Sequence, residues 1–339
     1  MPLLQYLARR LALAAVSLVG IVLVAFLVAH MVPADPLAVV LSDQATKDPS
    51  IRAAYVKRWG LDRSLPEQFL HYLLNVLRGD LGESFTTRRP VLRDLAQHLP
   101  ATIELSVVAL AFSVLVGLPL GLVAAVRHNR VPDHVARVLS LVGAASPIFW
   151  TGLIALYLFY YRLDWFPGPG RLDPYLQLPP PVTGFILLDS LLAGQGDTFR
   201  SALRHILLPA MVLGWFVMGI ISRTTRAALL EVLSADYVRT ARSKGLAEPS
   251  VIGLHALRNA LIPVVTVTGL AFASVLSGAV LTETVFAWPG IGRYAVTAST
   301  NLDYPAILGV TILTAVIYLT VNLVVDVLYG VLDPRIRVQ

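Results

Sequence analysis

Long apolar runs alternate with polar connections along the whole chain. An α-helix rises about 1.5 Å per residue, so about 20 apolar residues are needed to cross the roughly 30 Å hydrocarbon core of a bilayer. Runs of about this length predict membrane-spanning helices at residues 11–31, 102–126, 135–161, 206–222, 261–284 and 306–328. The fourth run is short and contains Pro209, so its boundaries are the least secure. The pattern predicts an all-α bundle of six transmembrane helices.

Composition agrees with this assignment and excludes several other classes. The chain is 56% hydrophobic and 14% charged, whereas an average soluble protein is about 25% charged. This excludes a soluble globular enzyme, a disordered chain and a coiled coil. The chain contains no cysteine, which excludes disulfides, cysteine-based metal sites and thiol nucleophiles.

The basic residues predict the orientation of the bundle. With the N-terminus inside, the cytoplasmic connections and tails carry 13 Lys and Arg, whereas the short external loops carry five. The long segment 33–101 is left out of this count, because the positive-inside rule applies chiefly to short loops. We therefore expect both termini in the cytoplasm. The excess of basic residues, a net charge of +6, is explained by topology and not by nucleic acid.

Segment 33–101 is too polar to lie in the membrane and too long for a turn, so we expect an extracytoplasmic subdomain. Asp48-Pro49 and Gly60 predict the start and end of one helix, and the spacing of Ser64 and Glu67 predicts a capping box for another. The second helix should carry an apolar stripe and end before Gly79, the stripe comprising Phe69, Leu70, Leu73, Leu74 and Leu77. Two interpretations remain open: a helix pair lying on the membrane surface, or a docking site for an external partner.

Segment 223–260 is the only long cytoplasmic connection. Ser234 or Asp236 can cap a short basic helix over residues 237–244, and Gly245 should then end it. A capped helix is not needed merely to join two spans. The segment is therefore interpreted both as a positive-inside topology signal and as a protrusion that a cytoplasmic partner grips.

Catalytic motifs are absent from the sequence. No Lys lies in a P-loop, no His lies in H-E-x-x-H, and there is no G-x-S-x-G motif. The sequence therefore predicts that the chain is not an enzyme.

Three carboxylates lie within the predicted spans, Glu104, Glu283 and Asp326, each near an end. Contact with lipid headgroups is the simpler interpretation of such positions. Glu283 is the exception, because Thr282, Thr284 and Trp288 place polar groups beside it, and Glu283 and Trp288 are our candidates for a translocation path. The expected helix-packing faces carry small residues four positions apart, namely Gly117, Gly121 and Ala125 in the second span and Gly269, Ala273 and Ser277 in the fifth.

The cytoplasmic connection resembles a known motif. DYVRTARSKGL at 236–246, followed by RNALIP at 258–263, is similar to the EAA coupling motif of ABC importer permeases, in the form found in the peptide, nickel and opine subfamily. Arg239, Thr240 and Ala241 occupy the Glu-Ala-Ala triplet, and Gly245 is the motif glycine. The missing acidic residue departs from the general motif and is usual in the subfamily.

Other stretches extend the resemblance over nearly the whole chain. GLDRSLPEQFLHYL, RGDLGESF, ASPIFW, LLDSLLAG, TETVFAWPGIGRY and the final DPRIR look like the first permease of dipeptide and oligopeptide importers. The resemblance implies the type I ABC importer permease fold. The chain then divides into a first span with its N-terminal segment at 1–32, the extracytoplasmic subdomain at 33–101 and the permease core at 102–339.

The resemblance also implies partners. The chain would pair with a homologous second permease, two cytoplasmic ATPases and an extracytoplasmic substrate-binding protein. It would bind no cofactor itself, because ATP and Mg²⁺ belong to the ATPases. The residues expected to couple it to an ATPase are Asp236, Tyr237, Arg239, Thr240, Ala241, Arg242, Lys244 and Gly245.

The solute stays open at this point, since similar permeases carry peptides, glutathione, nickel chelates and oligosaccharides. A stand-alone secondary transporter or channel is the competing class. It predicts ionisable residues in the middle of the spans, and the sequence places none there.

Overall fold

The computed structural model describes residues 3–31 and 63–332, and these are largely helical. The positions Asp48, Pro49 and Gly60, used above to predict a helix, lie outside the described residues. The α-helices are α1 Leu3–Met31, α2 Leu65–Leu77, α3 Val91–Val126, α4 Val131–Ala145, α5 Ile148–Ala155, α6 Ile186–Leu192, α7 Gly196–Leu233, α8 Asp236–Ser243, α9 Glu248–Ser250, α10 Arg258–Val285, α11 Ile291–Thr300 and α12 Tyr304–Leu332. Two π-helical segments, Leu156–Arg162 and Val251–Leu257, continue α5 and lead into α10.

Five helical stretches in the described residues are long and apolar enough to cross a membrane: Arg9–Val28, Val91–Val126, Gly196–Leu233, Glu248–Leu276 and Tyr304–Val324. The bent pair Val131–Ala145 and Ile148–Arg162 makes a sixth span if it is counted as one. The all-helical class and the number of candidate spans therefore agree with the prediction. The fourth span, predicted as 17 residues, belongs to the 38-residue helix α7, which continues past Pro209.

The third predicted span is not one straight helix. The chain bends by 109° between α4 and α5, at Ser146 and Pro147, where both residues adopt extended backbone conformations. Proline disfavours helical conformation in the residue before it, and its ring displaces the carbonyl four positions earlier. The third predicted span is therefore a bent pair of helices and not one straight helix.

The described residues form two compact units, of which the larger comprises Ala101–Pro289 and the part of α12 from Val321 onward. Its core lies where α3, α7 and α10 pack together, and it contains Leu105, Ile206, Ile221, Val275 and the indole of Trp288. Most of the apolar part of α7 is buried. This helix is thus the central element of the larger unit.

Small residues set the distance between α3 and α7, as predicted. A Cβ atom added at Gly117 would lie 2.8 Å from the carbonyl oxygen of Met218, and one at Gly121 would lie 2.5 Å from that of Ser222. Such distances are too short for any side chain, so the backbones approach as closely as glycine permits. The side chains of Ala273 and Ser277, on the second predicted face, lie outside the described residues.

The smaller unit comprises the described residues up to Pro100, together with Gly290–Thr320. Helix α2 begins after Ser64, whose backbone N–H donates to Glu67 Oε2 at 3.3 Å, and it ends before Gly79, as expected. Phe69 and Leu73 pack into the apolar core of this unit. The other three residues of the predicted stripe, Leu70, Leu74 and Leu77, are exposed, because the inward-facing positions are completed by Tyr72 and Val76 instead. Part of the predicted stripe therefore packs within this unit, and the rest is exposed on the surface of the helix.

Candidate functional site

The cytoplasmic connection 223–260, which we call the coupling loop, contains the short helix α8. Val238 and Ala241 form its buried side and pack against Val251, with Val232 and Leu233 at the edge of the cluster. Val238 and Ala241 are three positions apart, so they share one face of the helix. This apolar contact fixes α8 on the rest of the loop and leaves its opposite face exposed.

The exposed face of α8 carries most of the residues predicted to couple the chain to an ATPase. These are Asp236, Tyr237, Arg239, Thr240, Arg242 and Lys244, whereas Ala241 faces inward. Asp236 pairs with Arg239 at 3.3 Å, with both side chains largely exposed. Surface pairs of this kind contribute little stability, so the charges of this face are available to a partner.

Two further contacts orient α8. Arg242 Nη2 donates to Glu248 Oε1 at 2.7 Å, and this hydrogen bond raises the pKa of Arg242. Asn259 Nδ2 donates to the Tyr237 hydroxyl at 2.8 Å, which ties α8 to the start of α10. The sequence reasoning did not identify Asn259 as a functional residue, although it lies within the RNALIP stretch that carried part of the resemblance.

The sequence predicted the end of α8 correctly but not its start. Gly245 follows the helix with φ of +76°, in the left-handed region, and its N–H donates to Arg242 O at 2.9 Å. The start was predicted incorrectly, since Ala235 occupies the N-cap position and no side chain caps the helix. The Ser234 hydroxyl donates instead to the Glu231 carbonyl at 2.7 Å, and Asp236 is already the first helical residue.

A second group of polar residues lies inside the larger unit, around Glu283. The side chain of Glu283 is 0% exposed, and the Thr102 hydroxyl donates to its Oε1 at 2.6 Å. Trp288 is also buried, and its Nε1 donates to the Ala101 carbonyl at 2.8 Å. Both bonds join the end of α10 to α3, so Glu283 and Trp288 act together in holding these helices.

Glu104 connects the same part of α3 to the loop 163–185. Its carboxylate forms an ion pair with Arg171 and accepts a hydrogen bond from the Leu187 N–H at 2.8 Å. The Arg171 guanidinium also lies over the Trp288 ring, 5.2 Å from its centroid, a cation–π arrangement. Sequence reasoning missed Arg171, because nothing in its local pattern distinguishes it from other loop arginines.

These contacts overturn the interpretation of Glu104 and Glu283 as headgroup anchors. Both are buried within the unit, Glu104 being 6% exposed, and their oxygens are occupied by groups of the same chain. A carboxylate can be buried in this way because an arginine, hydroxyls or backbone N–H groups compensate its desolvation. The side chain of Asp326 lies outside the described residues.

The loop 163–185 is fixed at two more carboxylates. Asp189 accepts hydrogen bonds from the Thr183 N–H and hydroxyl and from the Gly184 N–H, at 2.7–2.9 Å. Burial disfavours its charged form, but these hydrogen bonds outweigh that effect and lower the pKa of Asp189. Asp173 accepts a hydrogen bond from the Ser201 hydroxyl at 2.6 Å. The loop is therefore an ordered part of the larger unit despite its prolines.

Among the residues that the structure describes, no group of three or more His, Cys, Asp or Glu side chains is arranged to hold a metal ion. The buried polar side chains described above, Glu104, Asp189 and Glu283, are engaged in contacts between helices and loops. These contacts hold the loop 163–185 and the end of α10 in defined positions, as expected of a membrane protein with ordered loops between its helices.

Two family models account for nearly the whole chain. Residues 117–338 match the model of the binding-protein-dependent transport system inner membrane component, and residues 3–106 match the model of its N-terminal region. The chain therefore belongs to the family of inner membrane components of binding-protein-dependent transport systems. It is a multi-pass transport protein of the inner membrane.

Full-length relatives place it more closely within that family. The chain is 45% identical over 337 residues to the di/tripeptide transport system permease protein DppB of Pseudomonas aeruginosa, covering 99% of this chain and 100% of the relative. It is 46% identical over 317 residues to the probable D,D-dipeptide transport system permease protein DdpB of Escherichia coli, covering 94% and 93%. It is 36% identical over 335 residues to the glutathione transport system permease protein GsiC of Salmonella choleraesuis, covering 99% of each.

Proposed function

We propose that this chain is a permease subunit of an ATP-driven ABC importer that moves di- and oligopeptides into the cell. The observation that carries the proposal is the identity of 45% to a di/tripeptide permease along 99% of the chain. Identity is lower, 36%, to the permease named for glutathione. Glutathione is itself a peptide, so it is the solute against which selectivity should be compared.

The energy for transport comes, in this proposal, from two cytoplasmic ATPase subunits. The sequence contains no P-loop of its own, so ATP and Mg²⁺ would bind to those partners and this chain would be neither an enzyme nor a cofactor-binding protein. A homologous second permease would complete the membrane part, and an extracytoplasmic binding protein would deliver the peptide.

The coupling loop is the proposed contact with an ATPase. In support, α8 has one face packed on Val251 and an opposite face with exposed charged and polar side chains. A helix held by a few apolar contacts and two polar contacts within the same loop can move together with a partner that binds its outer face. Asp236, Tyr237, Arg239, Thr240, Arg242 and Lys244 would make this contact, and Ala241 and Gly245 would set the shape of the helix.

We propose a role in the translocation path for Glu283 and Trp288 as well. A carboxylate buried in the apolar core of a membrane protein is costly, and such residues are commonly functional. In the described state Glu283 is hydrogen-bonded to Thr102, so exposure to a peptide requires this contact to open. The negative charge would then suit a peptide amino terminus.

The proposed orientation places both termini, the turn between α3 and α4, and the coupling loop in the cytoplasm. Segment 33–101 and the loop 163–185 would face the opposite side, where the binding protein docks. The charge asymmetry of the short connections supports this orientation.

Affinity purification of the tagged chain from its native membrane, in mild detergent, tests the proposal. We expect a second permease, two ATPase polypeptides and, with cross-linking, a binding protein whose extracted ligand is a peptide. Isolation of the chain as a homo-oligomer that transports solute without ATPases would instead identify a secondary transporter. A binding protein loaded with a nickel chelate or an oligosaccharide would refute the peptide as substrate, but it would not refute the role as an ABC importer permease.

A further inference from the structure

Two arginines of α7 attach its C-terminal half to α4. Arg226 donates from Nε and Nη2 to the two carboxylate oxygens of Asp133, at 2.7 and 2.9 Å. One helical turn earlier, Arg223 Nη1 donates to the Ser140 carbonyl at 3.0 Å. The Asp133 side chain is 0% exposed, so its charge is compensated within the protein.

The backbones of α4 and α7 are in close contact beside these bonds. A Cβ atom added at Gly219 would lie 2.8 Å from the Ser140 carbonyl oxygen, so the helices meet at a point where no side chain fits. The pairs Asp133–Arg226 and Ser140–Gly219 advance in opposite directions along the two helices, as antiparallel packing requires. Sliding or rotation of one helix would break the bidentate pair and bring the backbones into collision.

Stability by itself does not explain a buried ion pair, because apolar residues of similar volume often stabilise a folded protein equally well or better. What a bidentate arginine–carboxylate pair adds is a fixed geometry. Asp133 also accepts a hydrogen bond from the Asn129 N–H at 2.9 Å, so the same carboxylate fixes the turn before α4. The pair therefore determines the register of α4 on α7.

Helix α7 continues to Leu233, and only Ser234 and Ala235 separate it from α8. A displacement of α8 is therefore transmitted to α7 within two residues. We propose that Asp133 and Arg226 are positioning residues that transmit this displacement to α4, so that α4 and α7 move as one body during transport. The inference rests on the proposed function, in which α8 contacts an ATPase.

The test uses the full complex with its ATPases and binding protein, reconstituted in proteoliposomes, and measures ATP hydrolysed per peptide imported. The double variant D133N/R226Q replaces the ion pair with two neutral amides, of which asparagine matches aspartate in shape and glutamine is shorter than arginine, so both charges of the pair are removed. Coupling free energies of typical size correspond to about 5- to 150-fold effects, so we expect at least a fivefold rise in ATP hydrolysed per peptide. The matched control is Arg137→Gln, because Arg137 is half-exposed and lies 3.7 Å from the same carboxylate without a bidentate contact; it should keep the wild-type ratio.

A wild-type ratio in D133N/R226Q would overturn the inference, as would a parallel loss of hydrolysis and uptake with poor complex yield, which indicates a purely structural pair. The charge-swapped variant D133R/R226D should recover part of the coupling if the ion pair itself is required. Gly245→Leu in the same assay separates this inference from the proposed function. If Gly245→Leu abolishes peptide-stimulated hydrolysis and D133N/R226Q keeps the wild-type ratio, the role of the pair is refuted and the proposed function is not.

Discussion

Replacement of Gly245 tests whether the end of α8 must keep its shape for coupling. Gly245 has φ of +76°, and no atom lies within 4 Å of the position of an added Cβ. The cost of alanine there is therefore conformational and not steric, about 1–2 kcal/mol for a left-handed residue with a Cβ atom. Because α8 is held by few buried side chains, we expect the native turn to become roughly 5- to 30-fold less populated relative to alternatives.

The assay is peptide-stimulated ATP hydrolysis by the reconstituted complex, compared across Gly245→Ala, Gly245→Asn and Gly245→Leu. Alanine should reduce stimulation, and asparagine should reduce it less, because asparagine tolerates the left-handed region better. Leucine has the same backbone cost and adds bulk at the proposed ATPase contact, so it should abolish stimulation while the chain still inserts into the membrane. The control is Gly253→Ala, where space is also open but φ is not positive. Normal stimulation in Gly245→Leu would refute the reasoning.

Three further predictions concern orientation, the buried carboxylate and pH. A single cysteine introduced at Glu248 should be shielded from an impermeant thiol reagent outside intact cells and one at Gln177 should react; labelling at Glu248 would invert the topology. Glu283→Gln should lower uptake of peptides with a free amino terminus more than uptake of peptides with a blocked one. Equal effects on both would mean that Glu283 serves only to hold α10 against α3. Asp189→Asn should lower the melting midpoint of the purified chain at neutral pH by weakening hydrogen bonds that together contribute about 1–3 kcal/mol. The pKa of Asp189 is lowered in the folded chain, so the difference in melting midpoint between the wild type and Asp189→Asn should be complete at pH values above 3.8, the usual pKa of an aspartate, and should shrink as the pH falls below that value. A constant difference down to pH 2 would contradict the stabilising role of the charged carboxylate.

Helix class and number of spans were predictable because hydrophobic length is a local property of the sequence. The glycine that ends α8 was predictable for a similar reason, since Gly245 is the residue type that adopts positive φ with least cost. The bend at Ser146 and Pro147 was not predicted. An apolar run predicts that a segment lies away from water, but it does not predict where the helix axis changes direction.

The buried polar contacts were the least predictable part of the candidate site. Glu104 and Arg171 are separated by 67 residues, and Thr102 and Glu283 by 181, so their pairing depends on tertiary packing. A carboxylate near the end of a span was therefore interpreted as facing headgroups, although packing places it inside. The start of α8 was predicted incorrectly for another reason. Ser234 and Asp236, both good capping residues, flank the N-cap position, but that position is occupied by Ala235.

The most direct test of the account is peptide uptake by proteoliposomes that contain this chain, its second permease and both ATPases, with the binding protein outside and ATP inside. We expect accumulation of a labelled dipeptide that requires hydrolysable ATP and the binding protein, and that excess unlabelled dipeptide suppresses more strongly than glutathione does. Accumulation that persists without ATP or without the ATPase subunits would contradict the assignment of this chain as an ABC importer permease.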